Sequence, residues 1–351
     1  MRVLVLNVGS SSLKAAVLEA TTNKADRLWE TSTKRINPVE KQLQQWLTPQ
    51  LQPWLSQLNA AVHRLVHGGE HFTSTTRISA GMQQQLARLD QLAPLHNPAA
   101  RSGMGWLQQL QPKLEQWACF DTAFHATLPE PARTYALPAP WRQQGYRRYG
   151  FHGLNHQHVM EQATEHWQTA GHSDQPRLIS VHLGAGCSLC AIRKGKSIDT
   201  SMGFTPLEGL VMASRSGSVD PGLLLLLQKQ GLSLTELETG LNQQSGLLGL
   251  SELSDDWQEL KAAATQGHGG ARLARAVFHH RLRQGIGAMA ASLNGVDQIA
   301  LSGGIGANDA QLLAELQTSM GWLGAVQWLQ IPADEEGMMA RSVCRASAHT
   351  N

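Results

Sequence analysis

Short apolar runs on either side of glycine-rich turns mark two parts of the chain. Near the start, the runs 3–6 and 13–18 flank a polar turn at 7–12, which predicts two strands joined by a tight turn. The stretch 178–192 repeats this pattern, with apolar runs on both sides of Gly184-Ala185-Gly186. The repeat predicts a duplicated fold with one strand–turn–strand unit in each half.

Other periodic segments predict an α/β protein. Apolar runs predict strands at 61–66, 118–120 and 299–302, and helical spacing predicts helices near 41–59, 82–92, 223–241, 257–293 and 310–320. The run ending at residue 302 enters Gly303-Gly304-Ile305-Gly306 before a helix. Such a turn exposes N–H groups at a helix N-terminus, which favours phosphate or nucleotide, although the full dinucleotide-binding spacing is missing.

Composition narrows the class of protein. The 351 residues are 42% hydrophobic and 16% charged with a net charge of +2, which is typical of a soluble globular protein. Such a weak charge gives no strong attraction to nucleic acid or to anionic lipid. The apolar block 223–227 is too short to span a membrane, and the N-terminal run is too polar for a signal sequence. A cytoplasmic protein with neither nucleic acid nor membrane as partner is expected.

The four cysteines suit a reducing compartment. Cys187 and Cys190 form a C-x-x-C pair without a second such pair, in a segment that reads as a strand. Because positions three apart on a strand point to opposite faces, two buried thiols are expected rather than a metal or redox site.

Polar residues gather in three places that suit anion chemistry. The segment 199–221 has no regular period, is rich in glycine and hydroxyls, and carries one arginine, Arg215; it reads as an anion site or as a plain surface loop. Around Gly9, the residues Asn7, Ser10, Ser12 and Lys14 suit a phosphate, without the spacing of a Walker loop. The carboxylates at 334–336 could hold Mg²⁺ if they lie near phosphates, and would mean nothing on a solvated face.

Taken together, these stretches resemble the acetate and propionate kinase family, within the acetate/sugar kinase, Hsp70 and actin superfamily. The matching segments occur in the family's order along the whole chain: 7–14, 63–70, 92–98, 120–125, 149–153, 182–184, 199–221, 245–249, 303–306 and 334–336. The chain is shorter than typical members, with apparent deletions between 20 and 60 and between about 322 and 330.

The resemblance implies two related ribonuclease-H-like (actin-like ATPase) α/β domains around a nucleotide cleft. The N-terminal domain would comprise 1–125 and the returning tail 337–351, and residues 126–336 would form a nucleotide-binding and dimerisation domain. It implies a homodimer. The implied activity is reversible, direct in-line phosphoryl transfer between ATP and a short carboxylate, giving ADP and an acyl phosphate with Mg²⁺ or Mn²⁺.

Acetate is the expected acceptor, with a propionate or broad short-chain carboxylate kinase as the alternative. An alternative of another class is a nucleotide-binding regulatory paralogue without turnover. The physiological direction and the extent of domain closure are left open by the sequence.

The resemblance also assigns roles to individual residues. Catalysis would rest on Arg64, Asp121, His152 and Arg215. Substrate binding would involve Arg64, Val66, Leu95, His96, Phe151 and Pro206. Nucleotide binding would involve Ser12, Lys14, His182, Gly184, Gly186, Asp256, Trp257, Gly303, Gly304, Gly306 and Asn308. Asn7 and Glu335 would hold the metal, with Glu336 as an open alternative to Glu335.

Three residues depart from the family's pattern, all on the nucleotide side. Ala185 stands in place of an Asn, Gln258 in place of an Arg and Ala307 in place of a Glu. A lost hydrogen bond to a charged group costs about 1.5–3 kcal/mol. A weakened or altered nucleotide preference is therefore expected, without loss of the chemistry.

Overall fold

The structure is a computed structural model that describes residues 1–9, 12–79, 81–94 and 96–348. The chain forms two compact units. Unit 1 comprises Met1–Ala126, Gly153–His158 and the chain from Asp334 onward, and unit 2 comprises Thr127–His152 and Val159–Ala333. The domain boundaries at 125/126 and 336/337 remain a prediction.

Strands and helices alternate along much of the chain. The strands are β1 (Arg2–Val8), β2 (Ser12–Ala20), β3 (Ala25–Lys34), β4 (Ala60–Leu65), β5 (Thr76–Arg77), β6 (Glu115–Phe120), β7 (Leu178–Leu183), β8 (Cys187–Arg193), β9 (Lys196–Thr200), β10 (Gln298–Ser302) and β11 (Gln327–Gln330). The helices are α1 (Val39–Gln42), α2 (Thr48–Leu51), α3 (Met82–Arg88), α4 (Asn97–Leu110), α5 (Glu130–Arg133), α6 (Ala139–Arg142), α7 (Gly153–Thr169), α8 (Pro221–Lys229), α9 (Leu234–Gln243), α10 (Gly246–Ser251), α11 (Trp257–Thr265), α12 (Gly269–Leu293), α13 (Gly303–Gly306), α14 (Ala310–Ser319) and α15 (Glu335–Ala348). Short 3-10 turns occupy Leu55–Gln57, Leu89–Leu92, Ala123–Thr127 and Gly321–Leu323, and a π-helical turn occupies Leu43–Leu47.

The two units contain sheets of the same topology. In unit 1 the strand order is β3-β2-β1-β4-β6-β5, with β1, β2 and β3 antiparallel and with β4 and β6 parallel to β1. In unit 2 the order is β11-β10-β7-β8-β9, where β7, β8 and β9 are antiparallel and β10 and β11 run parallel to β7. Both sheets thus share a three-strand meander extended by two parallel strands, and the first sheet adds β5, antiparallel to β6, at its edge. The shared five-strand arrangement confirms the duplication that the sequence predicts.

The C-terminal helix belongs to unit 1. The helix α15 buries Met338, Met339 and Val343 in one apolar cluster with Val3 and Val5 of β1. Full burial of such a side chain contributes about 1.5–3 kcal/mol, so the tail is held firmly against the first sheet. The assignment of residues 337–351 to the first domain remains a prediction.

Several sequence expectations need correction. The helix expected near 223–241 is divided into α8 and α9, and that expected near 257–293 into α11 and α12. The polar stretch 21–60 contains β3, although its sequence pattern does not predict a strand. β3 is an edge strand with one covered face, so that even its covered positions, such as Trp29 and Thr31, are only half-buried. The helix expected near 41–59 begins at Val39 and ends at Leu51. Pro53 follows that end, and a proline cannot continue a helix because it lacks the N–H donor.

The cysteines are buried thiols, as the strand pattern predicts. Cys187 and Cys190 both lie in β8, and all four cysteines are buried, free thiols. The Sγ of Cys190 donates to Ser197 Oγ at 3.2 Å, and that of Cys187 to the carbonyl of Gly184 at 3.4 Å. Over the ranges the structure covers, no helix is both long and apolar enough to cross a membrane.

A buried histidine lies in the middle of the first sheet. His63 of β4 is fully buried, and its Nε2 contacts Gln116 Oε1 at 2.7 Å. Burial lowers the pKa of His63 to about 4, although the contact with Gln116 opposes the shift. His63 is therefore neutral at neutral pH.

Replacing His63 should remove a source of acid sensitivity. The pKa of His63 falls from 6.5 to about 4 on folding. Its contribution to stability is therefore present above pH ~6.5 and is lost as the pH falls towards ~4, by about 3 kcal/mol. In H63Q the amide can still donate to Gln116. Between pH 7 and pH 4, the free energy of unfolding in urea should therefore fall about 3 kcal/mol less in H63Q than in the wild-type protein. Parallel pH profiles for the two proteins would contradict this.

Candidate active site

An arginine–carboxylate pair lies at the end of the first sheet. Arg64 is near the end of β4, and Asp121 directly follows β6, its parallel neighbour. Arg64 donates from Nε to Asp121 Oδ1 at 2.9 Å and from Nη2 to Oδ2 at 2.7 Å. Because parallel strands end at the same edge of a sheet, two residues far apart in sequence form a bidentate pair.

Glu335 adds a second carboxylate to this pair. It opens α15, and its Oε1 lies 3.7 Å from Arg64 Nη2. Glu336 lies instead 3.7 Å from Nη2 of Arg27. The structure thus places Glu335, rather than Glu336, in an ion pair with Arg64, and Arg64 faces two carboxylates.

The charges of Arg64, Asp121 and Glu335 sum to a net negative charge. Burial alone would lower the pKa of Arg64, but the charges of Asp121 and Glu335 outweigh burial and raise it. Burial raises the pKa of Asp121, and the charge of Arg64 opposes that rise. A permanently charged guanidinium against two carboxylates leaves a local excess of negative charge, which suits a cation.

The carboxylates of Asp121 and Glu335 suit an Mg²⁺ ion that also binds phosphate oxygens. Mg²⁺ commonly takes one or two protein carboxylates and fills its other positions with water and phosphate oxygens. Asp121 and Glu335 approach the same guanidinium nitrogen. No group of three or more His, Cys, Asp or Glu side chains could hold a metal within the ranges described. Asn7 lies in β1 opposite Lys14, and its role as a metal ligand remains a prediction.

The segment after β4 is fixed by an asparagine that the sequence analysis did not single out. The Oδ1 of buried Asn97 accepts from the N–H groups of Val66 at 3.2 Å and His67 at 3.4 Å. Its Nδ2 donates to the carbonyl of His67 at 3.1 Å. Asn97 thereby positions Val66, and it directly follows the predicted substrate residue His96. Ser10 and Leu95, for which the sequence predicts roles, lie outside the described residues.

In unit 2, a strained histidine precedes α7. His152 has φ 56° and ψ 24°, the left-handed conformation that non-glycine residues rarely adopt. Its Nδ1 lies 2.9 Å from Ser188 Oγ, and its ring centre lies 4.4 Å from that of His182. Ser188 is buried in β8. In the sequence, its one distinguishing feature is a hydroxyl within an otherwise apolar run.

Gly186 keeps a small space open beside this histidine. A Cβ atom at Gly186 would lie 3.0 Å from Cε1 and 3.1 Å from Nε2 of His152, and 3.8 Å from Nη1 of Arg215. The imidazole and the guanidinium therefore border the same space. A side chain at position 186 would fill it.

Among the described residues, no carboxylate balances the positive charge of Arg215. Its Nη1 donates to the carbonyl of Pro206 at 3.3 Å, and it forms no ion pair with any carboxylate in the ranges described. Burial lowers the pKa of Arg215. A half-buried guanidinium without a counter-charge is unfavourable unless an anion binds there, so the geometry favours an anion site.

Backbone contacts hold the loop that carries Arg215. The N–H of Ala213 donates to Ala185 at 3.1 Å, and that of Leu247 donates to Met212 at 2.8 Å. Gly246 has φ +64°, and a Cβ there would lie 2.2 Å from the carbonyl oxygen of Met212. These contacts fix the irregular loop that carries Arg215, and the segment around Gly246 packs against the backbone of that loop.

Two glycine turns adjoin each other at the ends of β7 and β10. A Cβ at Gly184 would lie 4.0 Å from the N atom of Gly304. Gly303 has φ +82°, and a Cβ there would lie 2.4 Å from the carbonyl of Leu183, whereas a Cβ at Gly304 would meet nothing within 4 Å. Gly306 packs against Leu301 in the same turn. These turns expose backbone at strand ends, as phosphate binding requires.

Other predicted nucleotide residues have structural contacts. Trp257 is buried and donates from Nε1 to Asp309 at 2.6 Å, and Asp256 caps α11 by accepting from Glu259 N–H at 2.9 Å. Asn308 is exposed and donates to the Gly304 carbonyl at 3.0 Å. Nucleotide contact by these three residues remains a prediction, as it does for Ser12 and Lys14, which lie in β2 of unit 1.

The predicted acetate residues divide between the two units. Val66 and His96 lie in unit 1, whereas Phe151 and Pro206 lie in unit 2. Phe151 is buried next to His152, and the Pro206 carbonyl accepts from Arg215. Their role as a substrate pocket remains a prediction.

Duplicated sheets of this topology, each with a turn at the end of its first strand, define the actin-like ATPase class of α/β proteins. Within that class, the chain belongs to the Acetokinase family, whose model matches residues 28–342.

Proteins similar to this chain support that assignment. An acetate kinase of Synechococcus sp. is 42% identical over 92% of this chain and 88% of its own. A crystal structure of Porphyromonas gingivalis acetate kinase superposes with a TM-score of 0.88 at 32% identity, covering 98% of this chain and 99% of that one. A propionate kinase from Francisella tularensis has a TM-score of 0.87 at 34% identity, covering 97% and 98%.

Adding one methyl group at Gly186 should disable the site without unfolding the protein. In G186A the new Cβ crowds the His152 ring, so kcat should fall at least about tenfold while the thermal midpoint changes by a few degrees. The control is G240A in α9, where a Cβ meets nothing within 4 Å. Unchanged kcat in G186A would show that the space beside His152 is not used.

Proposed function

We propose that this protein is an acetate kinase that transfers the γ-phosphoryl group of ATP reversibly to acetate. The observation that carries the proposal is the unpaired charge of Arg215 beside His152 at the space kept open by Gly186. A phosphoryl group in transfer spreads its negative charge over three equatorial oxygens, which suit a planar guanidinium fork and an imidazole N–H. The names of the relatives at about 40% identity support the same activity.

In this reaction a carboxylate oxygen of acetate attacks the γ-phosphorus, and the bond from that phosphorus to the bridging oxygen of ADP breaks. No group of the protein needs to form a covalent bond, so catalysis rests on position and charge. Arg215 and His152 would stabilise the phosphoryl oxygens. Arg64 is oriented by Asp121 through Nε and Nη2, which leaves Nη1 without a hydrogen bond to a described residue and available for a substrate oxygen.

Mg²⁺, when bound, would neutralise phosphate charge. Glu335 and Asp121 would hold it, together with Asn7 and oxygens of the nucleotide. The excess negative charge around Arg64 supports this assignment.

The acceptor is expected to be acetate, with propionate as a poorer substrate. One methylene in an apolar pocket changes discrimination by only about 1–3 kcal/mol. The similarity to a propionate kinase favours keeping this alternative, and kcat/KM with acetate, propionate and butyrate separates the two. A regulatory paralogue without turnover would not need the Arg64–Asp121 pair or the unpaired Arg215.

We also propose a cytoplasmic homodimer that forms through unit 2. The helix α8 buries none of its residues although five consecutive leucines lie in it. Leu225 is 60% exposed, and Leu234, at the start of α9, is 66% exposed. Contiguous exposed apolar surface of this kind is typical of a protein interface.

Removing the Arg215 guanidinium should abolish acyl phosphate formation. We expect kcat of R215A, measured as acetyl hydroxamate formed from ATP and acetate, to fall about a thousandfold or more, because a cation is lost from the transferring phosphoryl group. R193A, which truncates an exposed arginine at the end of β8, should retain wild-type activity. If the wild-type protein forms no hydroxamate above background, the proposed function is wrong.

Glu335 and Glu336 form a matched pair for testing metal binding. Both side chains are 16% exposed, but only Glu335 pairs with Arg64. E335Q should raise the Mg²⁺ concentration for half-maximal activity about tenfold or more, whereas E336Q should leave it near the wild-type value. Equal shifts in the two variants, or a larger shift in E336Q, would assign the metal differently.

A further inference from the structure

One tyrosine hydroxyl in unit 2 joins the two ends of the short segment 204–208. Tyr135, which lies between α5 and α6, accepts from the N–H of Phe204 at 2.8 Å and donates to Glu208 Oε2 at 2.6 Å. Both directions are fixed, because an amide N–H only donates and an ionised carboxylate only accepts. Burial raises the pKa of Tyr135, so the hydroxyl keeps the proton that it donates.

Arg148 holds the same carboxylate and the chain that precedes the segment. Its Nη2 donates to Glu208 Oε1 at 2.6 Å. Its Nη1 donates to the carbonyls of Thr200, Ser201 and Met202 at 3.1, 3.2 and 2.9 Å. The two oxygens of Glu208 are thus divided between a hydroxyl and a guanidinium, and charged hydrogen bonds of this kind are stronger than neutral ones.

Gly203 allows these partners to meet. A Cβ atom at Gly203 would overlap both the Glu208 carboxylate and the Tyr135 hydroxyl. The carbonyl of Gly203 accepts from the N–H groups of residues 149 and 150, at 3.0 and 3.2 Å. The chain that enters the segment 204–208 is therefore bound to the chain that leads directly into Phe151.

Pro206 lies in the middle of the segment whose two ends Tyr135 holds. Its carbonyl accepts from Nη1 of Arg215 at 3.3 Å, and the family pattern predicts that Pro206 borders the acceptor carboxylate. Tying both ends of a short segment reduces the conformations open to its middle. An apolar wall that is fixed in this way discriminates between acyl chains by size, whereas a wall that can move admits a longer chain at a lower cost.

We infer that Tyr135 is a positioning residue for the acceptor: by tying Phe204 to Glu208 it fixes Pro206, and thereby limits the length of the acyl chain that the site accepts. Arg148 holds Glu208 in place for this contact. Tyr135 touches no substrate in this role and transfers no proton. The inference rests on the proposed function for its effect on substrate choice, and on the hydrogen bonds of unit 2 for the tie itself.

Substrate discrimination tests the role of Tyr135. In Y135F both hydrogen bonds of the hydroxyl are lost, so the ratio of kcat/KM for acetate to that for propionate should fall about threefold or more. KM for ATP should change less than about twofold. The control is Y146F, because the Tyr146 ring also packs on Phe204, at 5.6 Å, but is 42% exposed; it should keep the wild-type ratio. A wild-type ratio in Y135F would overturn the inference.

Hydrogen exchange measures the tie independently of activity. Backbone amides in the segment 204–208 should exchange about tenfold faster or more in Y135F than in the wild-type protein, and at the wild-type rate in Y146F. Equal rates in Y135F and the wild-type protein would contradict the tie. If Y135F does not fold, E208Q keeps the size of the side chain and removes the charge that Tyr135 and Arg148 share. The same faster exchange and lower ratio are expected in E208Q, and wild-type values for both would overturn the inference.

The two proposals fail in distinguishable ways. Absence of acyl phosphate formation by the wild-type protein, with either carboxylate, would contradict the acetate kinase assignment and leave the exchange rates unaffected. Acyl phosphate formation together with an unchanged acetate-to-propionate ratio in Y135F would contradict only the role of Tyr135.

Discussion

The guanidinium of Arg215 is partly buried, and no described carboxylate pairs with it. This constraint determines how the loop around Arg215 in unit 2 is held. Burying an unpaired charge is unfavourable, and within the described part of the chain the Pro206 carbonyl is the acceptor that Arg215 contacts. The loop around Arg215 must therefore be held by other contacts, which the backbones of Ala185 and Leu247 supply. Arg64 shows the opposite arrangement, because Asp121 and Glu335 compensate its charge. The local charge is thus positive around Arg215 in one unit and negative around Arg64 in the other.

The same sheet topology serves both arrangements. In each unit a three-strand meander is followed by two parallel strands, so that several strand ends meet at one edge. In unit 1, charged residues lie at the ends of the parallel strands: Arg64 near the end of β4, and Asp121 directly after β6. In unit 2, β10 is followed by Gly303 and Gly304, which expose backbone instead of side chains. Duplication supplies the same frame twice, and the residues at the strand ends give each copy a different local chemistry: charged side chains in unit 1 and exposed backbone in unit 2.

Much of this could be predicted from local patterns, and the rest could not for physical reasons. The strand–turn–strand units and the positions of Arg64 and Asp121 at strand ends follow from apolar runs and glycines. The edge strand β3 was missed because its exposed face is polar, and α15 was missed because its buried face mixes methionine, cysteine and arginine. Asn97 and Ser188 matter through burial and through partners distant in sequence, which composition does not reveal.

The departures from the family pattern are separable from the phosphoryl chemistry. At position 185 the contact that supports the Arg215 loop is a backbone carbonyl, which any residue provides, so alanine removes only a side-chain donor. At position 307 the N–H of the alanine still donates to Gly303 at 3.0 Å, and Gln258 is exposed on α11. Each change therefore alters a surface that a nucleotide could touch while the backbone that holds Arg215, His152 and Gly186 is kept. The three substitutions therefore change side chains, whereas the contacts that position Arg215 are made by backbone atoms of the same turns, so the two can vary independently.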